Sequence, residues 1–211
     1  MNFKAMARPI TFGSKKPDDA GPSPLKVKRE GIRRLASLQK AAEVLAVLPG
    51  PGESLHAIMT GQYDLAEMIH IMLTQIGPAQ HIRIATLGYN GRNVATLTEW
   101  LQAKTVDRLT LLCSTFFKNN NPELFQDVLD LFDGKHRLAA GRNHCKVVCL
   151  AFRDGQKLVI EGSANLRTNS DQEQFAMFHD AELHDWHAAW IDEQVTKHEG
   201  EAKKASAKGS A

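Results

Sequence analysis

Hydrophobic positions recur at two different spacings between residues 64 and 196, one typical of helices and the other typical of strands. The helical spacing predicts helices over residues 65–76, 94–103, 122–132 and 181–196. Alternating or continuous apolar stretches predict strands over residues 81–87, 108–113 and 175–178, and a hairpin within residues 142–166. Helices and strands in this order favour an α/β fold: a mixed, largely parallel sheet flanked by helices on both faces, in one domain.

Composition changes on either side of this periodic region. Residues 1–29 are rich in Pro, Gly and Lys and have no periodicity, which predicts a basic disordered arm. Residues 30–52 predict an amphipathic helix and a linker that ends in PGPG. The folded domain is predicted over residues 53–198, and the Lys/Ala-rich residues 199–211 predict a disordered tail.

Short sequence signals mark two of the predicted boundaries. Asp64 and Glu67 have the spacing of a capping box at the start of a helix. Asp154 followed by Gly155 is a tight-turn pair within the hairpin. The chain is therefore expected to double back there, which places the start of the first strand beside the end of the second.

The overall composition is that of a soluble globular protein, with 43% hydrophobic and 24% charged residues. No apolar stretch approaches the roughly 18–20 residues that a membrane-spanning helix needs, so stable membrane insertion is not expected. The first residues lack the apolar core of a secretory signal, and three cysteines are an odd number for a disulfide framework. A reducing cytoplasm is the predicted location.

Charge is distributed unevenly along the chain despite a formal net charge of +2. The first 40 residues contain ten Lys/Arg and three Asp/Glu, a net charge of +7, so the remainder is acidic on balance. A mildly acidic body with a basic arm is typical of proteins that bind nucleic acid or another anionic surface. A solvated tail without a partner explains the same charges equally well.

The first strand of the predicted hairpin carries polar residues that a buried strand does not need. His144 and Lys146 are two residues apart, so their side chains share one face of a strand. Cys145 and Val147 are then expected to point to the opposite face, into the core. Cys145 and Cys149 are interpreted as buried structural thiols, because neither belongs to a zinc-site spacing.

The second strand ends in Gly162, Ser163 and Asn165. Gly162 allows the backbone to bend, which brings the hydroxyl and the amide next to His144 and Lys146. An imidazole, an ammonium, a hydroxyl and an amide that converge in this way suit a phosphate group. The lysine supplies charge, the hydroxyl and amide supply donors, and the histidine supplies a nucleophile or an acid.

This pairing of H-x-K with a later G-S-x-N resembles the phospholipase D superfamily, and the α/β layout is similar to one phospholipase-D-like half. The resemblance covers His144, Lys146, Gly162, Ser163 and Asn165. In the family, a downstream carboxylate hydrogen-bonds the catalytic histidine, and Glu173 is the best positional match, with Asp171 as the second. The catalytic residues that the resemblance implies are His144, Lys146, Ser163, Asn165 and Glu173.

Two features depart from the superfamily pattern. An Asp is usual five residues after the motif lysine, where this chain has Ala151, and the segment between Lys146 and Gly162 is longer than usual. Asp154 is the nearest carboxylate, but it belongs to the predicted turn. Since the superfamily Asp generally has a supporting role, its loss bears on stability or rate more than on the type of reaction.

The motif occurs once, whereas the resemblance implies that two H-x-K motifs form one active site, so a homodimer is predicted. One His144 would attack phosphorus and form a phosphohistidine, and the partner subunit's His144 would protonate the leaving oxygen and then activate water. Lys146 and Asn165 would hold the nonbridging oxygens, and Glu173 would fix the imidazole tautomer. These donors stabilise the charge themselves, so neither a metal nor a cofactor is predicted.

The predicted activity is that of a phosphodiesterase, and more specifically of an endonuclease acting on DNA or RNA. Small single-motif members of the superfamily are often nucleases, and the basic arm agrees with a nucleic-acid partner. A phospholipid headgroup phosphodiesterase is one alternative. The other is a catalytically weak nucleic-acid-binding protein that keeps the fold as a dimer platform, for which Ala151 is the motive.

Four further residues are predicted to bind substrate: Tyr89, Arg92, Arg142 and Arg167. The first two lie in the connection GYNGRN after a strand, where loops rim ligand sites in α/β folds. The same connection could be a surface turn leading to an N-cap at Asn93, with Tyr89 covering the core. Arg142 and Arg167 flank the motif residues, where they either widen a positive pocket or are solvated charges.

Overall fold

The computed structural model describes the backbone of residues 29–167 and 171–209, and the side chains of residues 33–167 and 171–199. The strands are β1 (Ser54–Met59), β2 (Ala79–Ala85), β3 (Leu109–Ser114), β4 (Arg137–Gly141), β5 (Val147–Phe152), β6 (Lys157–Gly162) and β7 (Glu173–Phe178). The helices are α1 (Arg29–Val44), α2 (Leu65–Gln75), α3 (Gly91–Gln102), α4 (Thr115–Asn120), α5 (Pro122–Leu131) and α6 (Ala181–Gly209). The predicted arm lies, up to residue 28, outside the described residues.

The described strands form one sheet in the order β1-β7-β6-β5-β2-β3-β4. β2, β3 and β4 are parallel neighbours, and the other four pairings are antiparallel. The predicted mixed α/β sheet is confirmed, but the expected largely parallel pairing is wrong, because only β2, β3 and β4 pair in parallel, whereas the hairpin, β1 and β7 pair antiparallel. β5 and β7 run opposite to the other strands, so they begin at the edge of the sheet where β2, β3, β4 and β6 end.

Helices cover both faces of this sheet, as the alternating pattern predicts. On one face, Ile84 of β2 belongs to a core that includes residues of α1, α2, α3 and α5. The next residue, Ala85, points to the other face and packs with Ile191 and Val195 of α6. β3 and β5 are buried on both faces, which explains their nearly continuous hydrophobic sequences, whereas β2 retains polar residues at its start.

Both boundary signals in the sequence form the expected contacts. Asp64 caps α2: its Oδ1 accepts the Glu67 N–H at 2.8 Å, and the Glu67 carboxylate accepts the Asp64 N–H at 2.9 Å. The hairpin of β5 and β6 turns at Asp154 and Gly155, and the glycine has a φ of +94°, which disfavours other residues. The start of β5 and the end of β6 consequently lie side by side.

The hydrophobic pattern does not predict three of the observed elements, β1, α4 and β4. β1 and β4 are the outermost strands of the sheet, and β1, which pairs on one side only, needs few apolar residues. β4 is largely buried but has only five residues, RLAAG, too few to show a strand pattern. β1 alternates exposed and half-buried side chains over most of its length. α4 has six residues, too few to show a helical period.

Two helices differ from the prediction at their ends. α3 begins at Gly91 and is capped by Asn90, whose side chain accepts the Asn93 N–H at 3.0 Å, so Asn93 is not the N-cap. α6 begins at Ala181 as predicted but continues to Gly209, so the backbone predicted to be disordered from residue 199 is helical up to there. Ala, Glu and Lys are strong helix formers, and that tail composition is therefore compatible with a helix.

Candidate active site

The five predicted catalytic residues all lie at one edge of the sheet, which we call the motif edge. Here β2, β3, β4 and β6 end, and β5 and β7 begin. His144 and Lys146 precede β5, Ser163 and Asn165 follow β6, and Glu173 is the first residue of β7. The antiparallel hairpin thus brings the two halves of the motif together, as the tight-turn signal predicts.

His144 and Lys146 lie on an irregular segment, residues 143–146, and not on the strand itself. The Lys146 ammonium lies 3.1 Å from His144 Nδ1 and donates to the His144 carbonyl oxygen at 3.0 Å. His144 is exposed. Because an ammonium only donates hydrogen bonds, Nδ1 accepts here, and a neutral imidazole then carries its proton on Nε2.

The prediction that Cys145 is buried is wrong. Cys145 is exposed, because the alternation of a strand does not extend into the irregular segment. Val147, the first residue of β5, is buried as expected. Cys113 and Cys149 are buried, and burial raises the pKa of each thiol to about 12, which makes both unreactive structural thiols.

Asn143 positions this segment, a role that the sequence analysis misses. Its Nδ2 donates to the Thr86 carbonyl oxygen at 3.0 Å, and its Oδ1 accepts the Cys145 N–H at 3.0 Å. The second bond is a side-chain turn across two residues, to which asparagine is well suited. An asparagine directly before H-x-K is a signal for the local turn to Cys145, whereas its bond to Thr86 leaves no signal in the sequence.

Gly162 is required by the close approach of β6 and β7. A Cβ atom at this position would overlap the Gln174 carbonyl oxygen and lie 3.3 Å from the Phe175 Cα. The Gly162 N–H donates to the Lys146 carbonyl oxygen at 3.3 Å. A glycine is needed here, as the sequence predicts. The reason is that the backbones of β6 and β7 lie too close for a side chain, as well as that the chain bends.

Ser163 connects the end of β6 to the start of β7. Its hydroxyl donates to the Glu173 carboxylate and accepts the Gln174 N–H at 2.9 Å. The Ser163 N–H donates to the Gln174 carbonyl oxygen at 3.0 Å. The His144 ring contacts Lys146 in the structure, and the orienting role of Glu173 towards an imidazole stays a prediction.

Asn165 is fixed through its carbonyl oxygen. Oδ1 accepts the Leu87 N–H at 3.1 Å and lies 3.4 Å from the Thr86 hydroxyl, beyond the end of β2. The Leu166 N–H also reaches the Thr86 hydroxyl, at 3.4 Å. With its oxygen used inside the fold, Asn165 has its Nδ2 group left to donate to a bound anion.

Among the predicted substrate-binding residues, Tyr89 is placed wrongly. Its side chain is buried, its ring lies 4.3 Å from that of Phe117, and its hydroxyl donates to the Leu124 carbonyl oxygen at 3.3 Å. Tyr89 is therefore a core residue, because the GYNGRN connection folds back against α5. The alternative interpretation in the sequence analysis, a tyrosine that covers the core, is the one that holds.

The three predicted substrate-binding arginines are exposed. Arg142 lines a cavity of about 490 Å³ together with His144 and the exposed ring of Phe116. Arg167 follows the G-S-x-N segment. Arg92 lies in the first turn of α3 and lines a different cavity of about 440 Å³.

A further cavity of about 610 Å³ lies on the Lys146 side of the motif edge. Lys146, Ser163 and Gln174 line it, together with the indole of Trp186, which is 65% exposed. His144 and Lys146 thus lie next to different cavities, and each of these cavities has an exposed aromatic ring. Neither ring was singled out by the sequence analysis, since a single Phe or Trp carries no signal of its own.

Similarity to known proteins is found in the structure and not in the sequence. No protein-family model matches the chain, and no curated protein matches its sequence. Its structure is similar to that of Nuc from Salmonella typhimurium, a phospholipase D family member, with a TM-score of 0.51 and 11% identity over 69% of this chain and 95% of Nuc. The chain has a phospholipase-D-like fold. NucT from Helicobacter pylori agrees, with a TM-score of 0.50 and 15% identity over 69% of this chain and 98% of NucT.

Ala151, which stands where the superfamily pattern has an Asp, lies far from the motif residues. Ala151 is the fifth residue of β5, seven residues beyond His144, and therefore lies about 23 Å along an extended chain from it. It is at the opposite edge of the sheet. Asp154 is a turn residue as predicted, since its carboxylate accepts the Gln156 N–H at 3.0 Å.

Two features are absent from the described residues, a cluster of potential metal ligands and a membrane-spanning helix. No group of three or more His, Cys, Asp or Glu side chains suited to a metal ion occurs among them. His184 and His187 are buried on α6, and His187 Nε2 lies 2.6 Å from the Glu161 carboxylate. None of the helices in the described ranges is long and apolar enough to cross a membrane.

Proposed function

We propose that this protein is a metal-independent phosphodiesterase that cleaves nucleic acid internally, through a phosphohistidine intermediate in a homodimer active site. The observation that carries the proposal is the meeting of His144, Lys146 and Asn165 at the motif edge, with Lys146 Nζ 3.1 Å from the imidazole. An exposed imidazole next to two donors is the arrangement that an in-line attack on a phosphodiester needs.

The reaction has two steps. His144 Nε2 in its unprotonated form attacks phosphorus and forms a P–N bond, while the bond to the leaving oxygen breaks and the partner subunit's His144 gives that oxygen a proton. The partner subunit's His144 then removes a proton from water, the water oxygen attacks phosphorus, and the P–N bond breaks. The products are one free hydroxyl end and one phosphate end, and both histidines return to their starting states.

The nucleophilic form requires a change at Nδ1. With Lys146 donating to Nδ1, the neutral ring carries its proton on Nε2 and cannot attack through that atom, whereas the acid role needs the imidazolium, with a proton on both nitrogens. A carboxylate that accepts an Nδ1 proton would favour the attacking form, and Glu173 is our candidate for that carboxylate. Substrate phosphate would compete for the Lys146 ammonium and release the imidazole.

Charge on the transferring phosphoryl group falls on its nonbridging oxygens. Lys146 and Asn165 Nδ2 are the donors proposed for them in each subunit, and fixed donors of this kind contribute roughly 10²–10³-fold to a rate. The internal bonds of Asn165 Oδ1 to the Leu87 and Thr86 region hold its amide in place before substrate binds. Less reorganisation is then needed during the reaction.

A nucleic-acid substrate is supported by the groups around the motif edge. Arg142 and Arg167 are exposed beside it and suit phosphates on either side of the scissile bond. The exposed rings of Phe116 and Trp186, in the adjacent cavities, offer platforms for unpaired bases. The N-terminal 40 residues add a net charge of +7.

The test is cleavage of labelled single- and double-stranded DNA and RNA in excess EDTA, by wild type, His144→Ala and His179→Ala. The last variant removes a histidine at the opposite edge of the sheet and is the matched control. We expect EDTA-resistant cleavage that falls by roughly 10³-fold or more in His144→Ala alone. Acid-labile labelling of wild type by substrate phosphate would trap the phosphohistidine.

The shared active site is tested by mixing subunits. Wild type and His144→Ala, refolded together in equal amounts, should form about one quarter wild-type dimers, so the activity per wild-type subunit falls to about half. Activity that stays proportional to wild-type subunits would contradict the dimer site. Salt-sensitive binding without cleavage would favour the binding platform, and headgroup release from phospholipid vesicles would favour the lipid phosphodiesterase.

A further inference from the structure

Another cavity, lined by charged and imidazole side chains, lies at the edge of the sheet opposite the motif edge. Its volume is about 520 Å³, within the range of small-molecule sites. It is lined by Gln80, His81, Arg83, Asp107, Arg108, Lys135, Ala151, Lys157, His184 and Asp185. These residues come from the starts of β2 and β6, the end of β5, the loops before β3 and β4, and the first turns of α6. We call it the distal cavity.

Positive charge exceeds negative charge in the distal cavity. Of its two carboxylates, Asp185 is paired with Lys157 at 2.7 Å, and Asp107 is paired at 2.6 Å with Arg153, which is not a lining residue. Of the other three cations, Arg83 is paired with Asp192 at 2.9 Å, and Arg108 and Lys135 are exposed without an ion pair to a described side chain. Two cationic groups are therefore available to an incoming anion.

Two buried imidazoles lie beside these cations. His184 is 2% exposed, its Nδ1 lies 2.9 Å from the Asp185 carboxylate, and its buried Nε2 has no hydrogen-bond partner in the described part of the chain. His184 lines the distal cavity, and buried polar atoms are nearly always paired, so its unpaired nitrogen indicates a missing partner. His81 is also buried, with Nε2 2.9 Å from the Thr110 hydroxyl.

The tautomer of His184 indicates what that partner offers. Asp185 can only accept when ionised, so Nδ1 of a neutral His184 carries the proton and Nε2 is an acceptor. A ligand that satisfies the cavity has an anionic group for Arg108 and Lys135 and a hydroxyl or amino donor for His184. Inorganic phosphate alone is too small for a cavity of about 520 Å³.

We propose that the distal cavity binds a phosphorylated small molecule of mononucleotide size, at a site separate from the motif edge. The phosphate lies against Arg108 and Lys135, and a sugar hydroxyl or a base amino group donates to His184 Nε2. Ala151 faces this cavity, so the position where the superfamily has its Asp is here kept free of negative charge. This site does not depend on the proposed phosphodiesterase activity.

The test is isothermal titration calorimetry of the full-length protein with AMP, and with inorganic phosphate as the smaller probe. We expect AMP to bind more tightly than phosphate and to lose at least roughly tenfold in affinity in the double variant Arg108→Ser/Lys135→Ser. The matched control, Arg33→Ser/Lys40→Ser, removes two exposed charges on α1 and should bind AMP like wild type. Equal affinities for AMP and phosphate would overturn the proposed size of the ligand.

Imidazole signals in nitrogen-15 NMR locate the bound AMP. Binding in the distal cavity should shift the ring signals of His81 and His184, and these shifts should persist in Lys146→Ala. Shifts confined to His144 would overturn the proposal, because AMP would then occupy the motif edge alone. An unchanged affinity in the double variant would overturn it as well, whether or not the protein cleaves nucleic acid.

Discussion

The two edges of the sheet both combine imidazoles with cationic side chains, but they expose them differently. At the motif edge, His144 is exposed and contacts the Lys146 ammonium. At the opposite edge, His81 and His184 are buried, and burial lowers the pKa of His184 and brings that of His81 to about 3. Both buried rings are therefore neutral near pH 7, and they suit recognition, whereas the exposed ring is open to substrate and water.

The two edges are also held together differently. The motif edge consists of irregular segments, which side chains such as Asn143 and Asn165 tie to the end of β2. The buried imidazoles of the opposite edge lie within β2 and α6, which fix their backbone. The reactive groups therefore lie on loops whose geometry depends on a few contacts, while the rigid sheet fixes where those loops begin.

The largest effect on the motif edge is expected from Gly162→Ala. The added Cβ would overlap the Gln174 carbonyl oxygen and push β6 away from β7, or Lys146 away from β6. We expect a loss of about 3 kcal/mol in the free energy of unfolding, measured by urea denaturation, and loss of cleavage under conditions where the protein is still folded.

Gly91→Ala is the matched control for this prediction. Gly91 is the first residue of α3, and a Cβ there would meet Leu124 at 4.0 Å, an ordinary contact. Its stability should change by less than about 1 kcal/mol and in the favourable direction, since Ala is the better helix former. Equal effects of the two substitutions would show that the tight packing of Gly162 against β7 is unimportant.

Much of the fold could be predicted because its central elements bury apolar residues in regular patterns. β2 alternates polar and apolar residues, β3 and the first strand of the hairpin are nearly continuous hydrophobic runs, and the capping box at Asp64 has a local sequence signature. β1 was missed because it is mostly exposed or half-buried, and β4 because its five residues are too few to show a strand pattern. Tyr89 was misplaced because the sequence does not indicate which side of a loop faces the core.

The candidate site was predictable in its residues but less so in its geometry. H-x-K and G-S-x-N are recognisable as sequence motifs, and the turn at Asp154 and Gly155 places them together. The exposure of Cys145 depends on where β5 begins, and a shift of the strand start by a few residues changes which side chains face the core. Contacts between distant segments, such as Asn165 with Leu87, leave no local signal.

A smaller effect is expected from Asn143→Ala, which removes the anchor of the irregular segment. Loss of its bonds to the Thr86 carbonyl oxygen and the Cys145 N–H should lower the free energy of unfolding by about 1–2 kcal/mol. Because His144 is then less well positioned, we expect kcat for cleavage to fall roughly tenfold with little change in KM.

Asn143→Asp separates the two contacts of this anchor. The carboxylate keeps the acceptor for the Cys145 N–H and loses the donor to the Thr86 carbonyl oxygen. Its kcat should lie between those of wild type and Asn143→Ala. A fall in stability without any change in kcat, in both variants, would show that Asn143 is structural and does not position His144.

The smallest effect is expected at the opposite edge, from the pH dependence of stability that His81 confers. Burial, with Arg83 and Arg108 nearby, lowers the pKa of His81 to about 3, so between the ordinary value of 6.5 and 3 only the unfolded chain is protonated there. Its contribution to stability is present above pH 6.5 and is lost as the pH falls.

His81→Asn should therefore lose less stability than wild type on going from pH 6.5 to pH 5, by about 1 kcal/mol after allowance for solvent screening. Urea denaturation at both pH values measures this difference, and the raised pKa of Asp64, about 6, affects both proteins equally and cancels. Parallel pH profiles for the two proteins would show that His81 is protonated in the folded state, and the electrostatic contrast between the two edges would then be wrong.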